Sequence, residues 1–287
     1  MQRREFLAFA LALPALSGQR QRDDADSTVS RYIVSRMFQK ARAEGWVALS
    51  MGELMCRFGE LLLGTLYAPG TLESPDGEER CRVDLTRVDC FTFVEAVLCL
   101  ARTLKRGAST FEEFLAEVCW TRYRDGRQGD YTTRLHYTAD WLYDNERRGV
   151  LRNITPQLGG KPLQLQLSYM SAHAEQYIAL RRHPELVRRI AEIERAISMR
   201  SHWYIPKREV ASILPQLQPG DILAITTNRA GLDYGHIGLA YPWKGRLCLL
   251  HASQRAGKVI VDAPVPEYLA SVGTHTGITV ARALAPS

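Results

Sequence analysis

Arg87-Val88-Asp89-Cys90-Phe91-Thr92-Phe93-Val94-Glu95 is the stretch that decides how this chain folds. Asp89 has the chemistry of a helix N-cap, with a side-chain oxygen suited to the free amides of a first turn. Apolar residues follow nearly all round, as in a buried helix. Cys90 then stands in the first turn, where the positive end of the helix dipole favours thiolate over thiol and lowers the thiol pKa. Thiolate is the attacking form of cysteine. The position marks Cys90 as a candidate nucleophile, against the alternative of a small buried core residue.

Outward from this helix, which is expected to reach about Leu104 ahead of Gly107, the chain divides. On the N-terminal side, residues 29–43 and 50–67 carry helical periodicity, the second with Leu54, Phe58, Leu61, Leu62 and Leu66 on one side. Residues 68–80 form a Pro/Gly/Glu-rich loop. On the C-terminal side, helices are expected at 110–119, 133–147 and 185–198, and a strand at 163–168. The last third changes character. Pro219-Gly220-Asp221 turns into a strand at 222–225, and further strands follow at 236–240, 246–251, 258–261 and 278–280. Helices first and an antiparallel sheet last give an α+β class with the Cys90 helix packed on the sheet. The expectation is one domain over 29–287, helical over about 29–215 and sheet over about 216–287.

With 287 residues and 46% apolar content the chain can bury one substantial core, with room for a sizeable insertion. The net charge of +6 is diffuse, with both signs interspersed. No segment reads as a nucleic-acid-binding arm, and the modest positive balance suits an anionic substrate. Arg3-Arg4-Glu5-Phe6-Leu7 precedes a short apolar stretch at 6–16 and a small-residue site near Ala15-Leu16-Ser17-Gly18. This is the build of an export signal of the twin-arginine kind, too short for a permanent membrane span. The polar residues 18–28 read as a linker, so the mature chain is expected to begin there and work outside the cytoplasm, in the periplasm. Cys56, Cys81, Cys90, Cys99, Cys119 and Cys248 lie at irregular spacings, which leaves any disulfide pairing open. No Cys-x-x-Cys or His-Glu-x-x-His is present, so neither metal nor cofactor is expected.

A cysteine nucleophile needs a base, and the base needs an orienting group. His236 opens a strand between Gly235 and Ile237-Gly238, where the glycines allow close approach. His251 falls on the neighbouring strand, after the turn at Gly245, within reach of His236. Cys90, His236 and His251 are therefore the catalytic candidates.

Leu217-Gln218-Pro219-Gly220-Asp221-Ile222, Gly235-His236-Ile237-Gly238, Leu250-His251-Ala252-Ser253 and the Asp89-Cys90 pair together resemble the motifs of the NlpC superfamily. These are papain-like-fold cysteine peptidases and amidases of bacterial cell walls. The likeness narrows through Gly64-Thr65-Leu66-Tyr67-Ala68, Arg122-Tyr123-Arg124-Asp125-Gly126, Arg134-Leu135-His136-Tyr137, Tyr169-Met170-Ser171-Ala172-His173 and Gly231-Leu232-Asp233-Tyr234. From about residue 50 onward the chain resembles the N-acetylmuramoyl-L-alanine amidase-like branch. The resemblance implies Cys90 as nucleophile, His236 as base and His251 as third residue. It further implies muropeptides from peptidoglycan as substrates, cut between N-acetylmuramic acid and L-alanine. A cut between γ-D-glutamate and diaminopimelate, or a catalytically idle wall-binding module, are the alternatives. Two departures stand out: Phe91 replaces the usual serine, and about 145 residues separate Cys90 from His236. The second implies an enlarged helical insertion that remodels the cleft.

Among the remaining polar residues, Asp89 either caps its helix, binds a substrate amine, or does both. Arg134, His136 and Tyr137, with Tyr123 upstream, either grip a sugar or lactyl carboxylate or form a structural ion pair and packed aromatics. Ser171 and His173 carry the same two readings. Asp233 either lines the cleft or stabilises its loop. Trp120, Trp141 and Tyr143 read as core.

Overall fold

Ser50, Asp89 and Thr110 start three helices by one device. Each side chain accepts the backbone N–H three residues on, and the residue found there, Glu53, Thr92 or Glu113, accepts the N–H of the cap in return. In the computed structural model, the backbone is described for residues 16–286 and side chains from residue 28, so the twin-arginine stretch lies outside the described residues. The helices are α1 (Leu16–Ala43), α2 (Met51–Leu61), α3 (Cys90–Lys105), α4 (Phe111–Arg122), α5 (Thr138–Arg147), α6 (Tyr169–Ala172), α7 (Ile178–Arg182), α8 (Leu186–Ser198), α9 (Val210–Ile213) and α10 (Val265–Ser271). The strands are β1 (Leu66–Tyr67), β2 (Arg87–Val88), β3 (Leu151–Asn153), β4 (Lys161–Leu163), β5 (His202–Pro206), β6 (Ile222–Thr227), β7 (Tyr234–Trp243), β8 (Arg246–Ser253), β9 (Lys258–Pro264) and β10 (His275–Ala283).

The strands join in the order β2-β1-β9-β8-β7-β6-β10-β5-β4, with β3 also on β10. All pairs are antiparallel except β1 with β2. The central strands are buried on both faces. Along β6, Ile222 and Ala224 enter the core shared with α3, while Leu223 and Ile225 enter a second core with Val210, Val265 and Leu269. This explains the unbroken apolar run Ile222-Leu223-Ala224-Ile225, since a strand covered on both sides has no polar face to alternate. Helix α3 packs between α2, α4, β7 and β8, with Phe93, Val94, Val97, Leu98, Leu100 and Ala101 fully buried.

The α+β class and the α3-on-sheet packing agree with the sequence expectation, while the division of the chain needs correction. The sheet is not confined to the last third, because β1 to β5 come from the first 206 residues. These strands are two to five residues long and most lie toward the sheet's ends, too short to carry a period of two. The helix expected over 50–67 ends at Leu61, where the chain turns through Gly64 at φ 86° into β1. The helix expected over 133–147 begins only at Thr138. The strand expected at 163–168 is instead Lys161–Leu163, paired with β5. The polar stretch 18–28, expected as a linker, continues as the backbone of α1. From residue 30 onward α1 belongs to the core through Ser30, Val34, Met37, Phe38 and Ala41.

Buried ion pairs bind the helical part to α3. Arg122 of α4 donates to Glu95 of α3 from both Nε (3.1 Å) and Nη2 (2.5 Å), and both side chains are almost completely buried. Arg102 of α3 pairs with Glu117 of α4 through Nε, and both are likewise almost completely buried. A disulfide between Cys81 and Cys119, with Cα atoms 5.9 Å apart, ties the loop before β2 to α4. Closing a loop across a separation of 38 residues restricts the unfolded chain. Reducing it, or changing Cys81 and Cys119 to Ala, is expected to lower unfolding free energy by about 2–4 kcal/mol. Denaturant titration with and without reductant measures this, and mass mapping of the oxidised protein should find the Cys81–Cys119 linkage.

Candidate active site

Cys90 is the first residue of α3. Asp89 Oδ1 accepts the Thr92 N–H at 2.8 Å, and Thr92 Oγ1 accepts the Asp89 N–H at 2.9 Å. This reciprocal cap fixes the turn that presents the thiol. The Cys90 sulfur meets the backbone N–H of Ile237 on β7, one residue from His236. Of the two roles considered for Asp89, capping is the one its hydrogen bonds fill.

His236 Nε2 lies 2.5 Å from His251 Nδ1, and the two rings meet edge to face with centroids 4.7 Å apart. Gly238 makes this possible. It sits two residues from His236 on the same face of β7, and a Cβ there would stand 3.0 Å from His251 Cβ. With no side chain at Gly238, His251 lies against the strand and its ring leans toward His236. On its far side, His251 Nε2 faces Asp262 Oδ2 of β9 at 3.4 Å. Tyr268 of α10 covers the group, its ring centroid 5.1 Å from His251, 5.9 Å from His236 and 5.6 Å from His275. Tyr67 and Tyr268 both lie within electrostatic reach of Cys90. His275 is buried and its Nδ1 has no protein partner.

The electrostatics correct one expectation. The helix dipole was expected to lower the Cys90 pKa, but burial pushes the thiol up to about 12, and the Asp89 carboxylate acts in the same direction. The amides of Ile237, Phe91 and Cys90 itself only partly offset this. Burial, followed by the neighbouring His251 and His275, holds His236 well below the ordinary histidine range. Burial likewise takes His251 down to about 4 although Asp262 pulls it upward. Burial thus drives both Cys90 and His236 toward their neutral forms.

The other candidates are engaged by protein partners. Tyr123 is buried and donates to Glu79 Oε1 at 2.6 Å. Arg134, 4% exposed, pairs with Glu73 at 2.5 Å and faces Glu79 at 3.7 Å. His136 Nε2 meets the Tyr131 carbonyl at 2.7 Å, and burial followed by Arg134 holds the ring far below its ordinary pKa. Tyr137 donates to Glu194 Oε1 at 2.6 Å, while the Ser171 hydroxyl donates to Glu194 Oε2. His173 Nδ1 meets the Tyr169 carbonyl at 2.8 Å, and its ring stacks on Tyr169 at 4.4 Å. Asp233 Oδ2 accepts the Ala139 N–H at 2.7 Å, so it caps α5 from the loop ahead of β7. Burial raises the Asp233 carboxyl to about 6. Of the two readings offered for Tyr123, Arg134, Tyr137 and Asp233, these contacts fill the structural one. Glu73, Glu79 and Glu194 lie 23 to 61 positions away in sequence, so spacing gave no hint of them. Trp141 is core as expected, whereas Trp120 and Tyr143 are 39% and 42% exposed. Both carry arginines over their rings, Arg148 on Trp120 and Arg200 on Tyr143.

Sequence reasoning missed Asp262, Tyr268, His275 and Tyr67. One signal was present for Asp262, a carboxylate interrupting the apolar run Val259-Ile260-Val261. Among the described residues, no three His, Cys, Asp or Glu side chains gather as a metal-ligand set.

No curated protein matches the chain in sequence. Solved structures do. A crystal structure of an N-acetylmuramoyl-L-alanine amidase from Bacteroides uniformis superposes with a TM-score of 0.77 at 38% identity, covering 82% of this chain and 99% of that one. A Bacteroides fragilis protein assigned provisionally as a xylanase gives 0.73 at 39% identity, covering 78% and 98%. A Legionella pneumophila protein gives 0.70 at 22% identity over 91% and 97%, a likeness of fold alone. The family model described as AmiA-like, N-acetylmuramoyl-L-alanine amidase-like, matches residues 57–278. That span holds the α3 cap, the two histidines and Asp262 together, and the chain belongs to the N-acetylmuramoyl-L-alanine amidase-like family.

Proposed function

We propose that this protein is an exported cysteine amidase that cuts the bond between the lactyl group of N-acetylmuramic acid and L-alanine in peptidoglycan fragments. The observation that carries this reading is the meeting of the α3 N-terminus with β7. It sets a thiol beside the strand of a histidine pair backed by a carboxylate. The same arrangement, a nucleophile opening a helix and histidines on adjacent antiparallel strands, supports a papain-like fold of the NlpC type. Family membership supports an amide bond in peptidoglycan as the target. A glycosidase would need two carboxyl groups across the sugar bond. Here Asp89 is committed to its cap and Asp262 lies behind His251.

In the proposed reaction the Cys90 sulfur attacks the amide carbon as its proton passes to His236. The carbonyl oxygen becomes an oxyanion, held by the Cys90 N–H, which has no acceptor within the first turn of α3. The carbon–nitrogen bond breaks as His236 returns the proton to the leaving amine of L-alanine. Water then adds to the thioester while His236 takes its proton, and the sulfur leaves to regain it. Because burial drives both partners toward neutrality, proton transfer accompanies attack instead of preceding it.

Cys90→Ala is expected to lower turnover by roughly 10⁴- to 10⁶-fold with the fold intact. Mass spectrometry of a digested muramyl peptide should show a free L-alanine amine. A new amine on diaminopimelate would replace the proposed bond with the γ-D-glutamyl one.

The neutral resting couple has its own signature. Thiolate absorbance assigned to Cys90, by difference from Cys90→Ser, should be absent at neutral pH and rise only in the alkaline range. Iodoacetamide alkylation of Cys90 should follow the same curve. A thiolate band at neutral pH that is lost in Cys90→Ser would restore an ion-pair resting state.

Export is part of the proposal, supported by the twin-arginine stretch and by the Cys81–Cys119 disulfide, since such bonds persist in oxidising compartments. A reporter fused to residues 1–30 should leave the cytoplasm only while Arg3 and Arg4 are intact. Export that survives their change to Lys would assign the general secretory route.

A further inference from the structure

Two facing histidines have no built-in polarity. Either ring can donate across the 2.5 Å contact between His236 Nε2 and His251 Nδ1, and the two choices have opposite consequences. If His236 donates from Nε2, its Nδ1 keeps a lone pair and can take a proton from a thiol. If His251 donates from Nδ1, a neutral His236 carries its only proton on Nδ1 and has no lone pair left for sulfur. A cysteine–histidine–histidine site works in one tautomer pair and fails in the other.

The surroundings of His251 break the tie. The residue is 1% exposed, so solvent does not arbitrate. From β9, Asp262 Oδ2 faces His251 Nε2 at 3.4 Å. Asp262 Oδ1 accepts the Ala263 N–H at 2.7 Å, which fixes the plane of the carboxylate. Arg255 Nη2 stands 3.7 Å from Asp262 Oδ2, a cation facing the carboxylate. The β8–β9 ladder shifts register between Cys248 and Leu250, at the level of Asp262, and a bulge of this kind re-aims side chains. The remaining groups around His251 are His236 from β7 and Tyr268 from α10, and neither is a carboxylate.

We propose that Asp262 is a positioning residue that holds His251 as its Nε2–H tautomer and, through it, leaves the base lone pair on Nδ1 of His236. An ionised carboxylate accepts hydrogen bonds and donates none, so it selects Nε2–H on His251. His251 Nδ1 is then an acceptor and receives the His236 Nε2–H. When His236 takes the proton, it stays on the ring, and the Asp262 carboxylate stabilises the imidazolium through His251. The inference rests on the reading of Cys90 and His236 as nucleophile and base. It assigns Asp262 no contact with substrate.

The test compares Asp262→Asn with Asp262→Ala in the full chain. Asn keeps the shape of Asp but turns an N–H toward His251 Nε2, forcing the Nδ1–H tautomer. Asp262→Asn is expected to lower kcat by about 10²-fold or more, as a wrong tautomer does in other triads. KM should stay within about twofold, as for a group that acts only in the transition state. Asp262→Ala, which imposes no tautomer, should be the milder change. A packing role predicts the reverse order, and that order would overturn the proposal. Heteronuclear NMR of nitrogen-labelled histidine reads the tautomer without substrate. His251 should carry its proton on Nε2 in the parent and on Nδ1 in Asp262→Asn. A parent His251 protonated on Nδ1, or no change in the Asn variant, would also overturn the proposal. Because this readout is independent of turnover, a protein inactive on muramyl peptides would count against the proposed substrate and not against the role of Asp262.

Discussion

The first turn of α3 against the backbone of β7 is the contact on which the rest of the site depends. It brings a sulfur to the amide of Ile237, and it does so by burying α3 on every side. That burial has an electrostatic cost. A desolvated thiol beside a carboxylate resists ionisation, and here the two effects outweigh the helix amides. The same apolar surroundings keep His236 neutral. In the proposed reaction the fold does not charge Cys90 and His236 in advance, and ionisation comes with the attack. A charge that appears only in the transition state is where preorganised donors act most strongly.

Ion pairs as well as apolar packing join the helical part to this centre. Glu95–Arg122 and Arg102–Glu117 join α3 to α4, and Arg134 lies between Glu73 and Glu79. Asp140 receives Arg124 at 2.6 Å and Arg200 at 2.6 Å. Buried pairs of this kind lose most of their Coulomb gain to desolvation, but removing one partner leaves a stranded charge. Arg122, Tyr123, Arg134 and Tyr137 are each engaged by a carboxylate from another segment of the chain.

Legibility from sequence followed locality. The α3 cap needed only Asp89 and Thr92, three positions apart, and the strands around His236 and His251 announced themselves by a turn and two apolar runs. The short strands β1 to β5 did not, because two to five residues cannot show a period and their partners lie far along the chain. The direction of the Cys90 pKa failed for a related reason. A helix dipole can be inferred from a cap, but depth of burial is set by α2, α4, β7 and β8 together. Asp262 escaped because its meaning lies in a register shift between β8 and β9, which no single strand encodes.

His236 is located from both halves of the molecule, and this is what the long separation from Cys90 achieves. Ahead of it, Asp233 accepts the Ala139 N–H in the first turn of α5, and Gly231 pairs with Leu167 near the start of α6. Behind it stand His251 and Asp262, carried by the sheet alone. The loop entering β7 is thus clamped by the helical part while the ring it delivers is oriented by the sheet. A cap supplied from another segment transmits displacement, since moving α5 by a fraction of a hydrogen-bond length must either strand an amide or pull on Asp233. The helical part need not touch a substrate to bear on the site. It can act through Tyr234 and Gly235, the two residues between Asp233 and His236, which carry the position of α5 to the histidine.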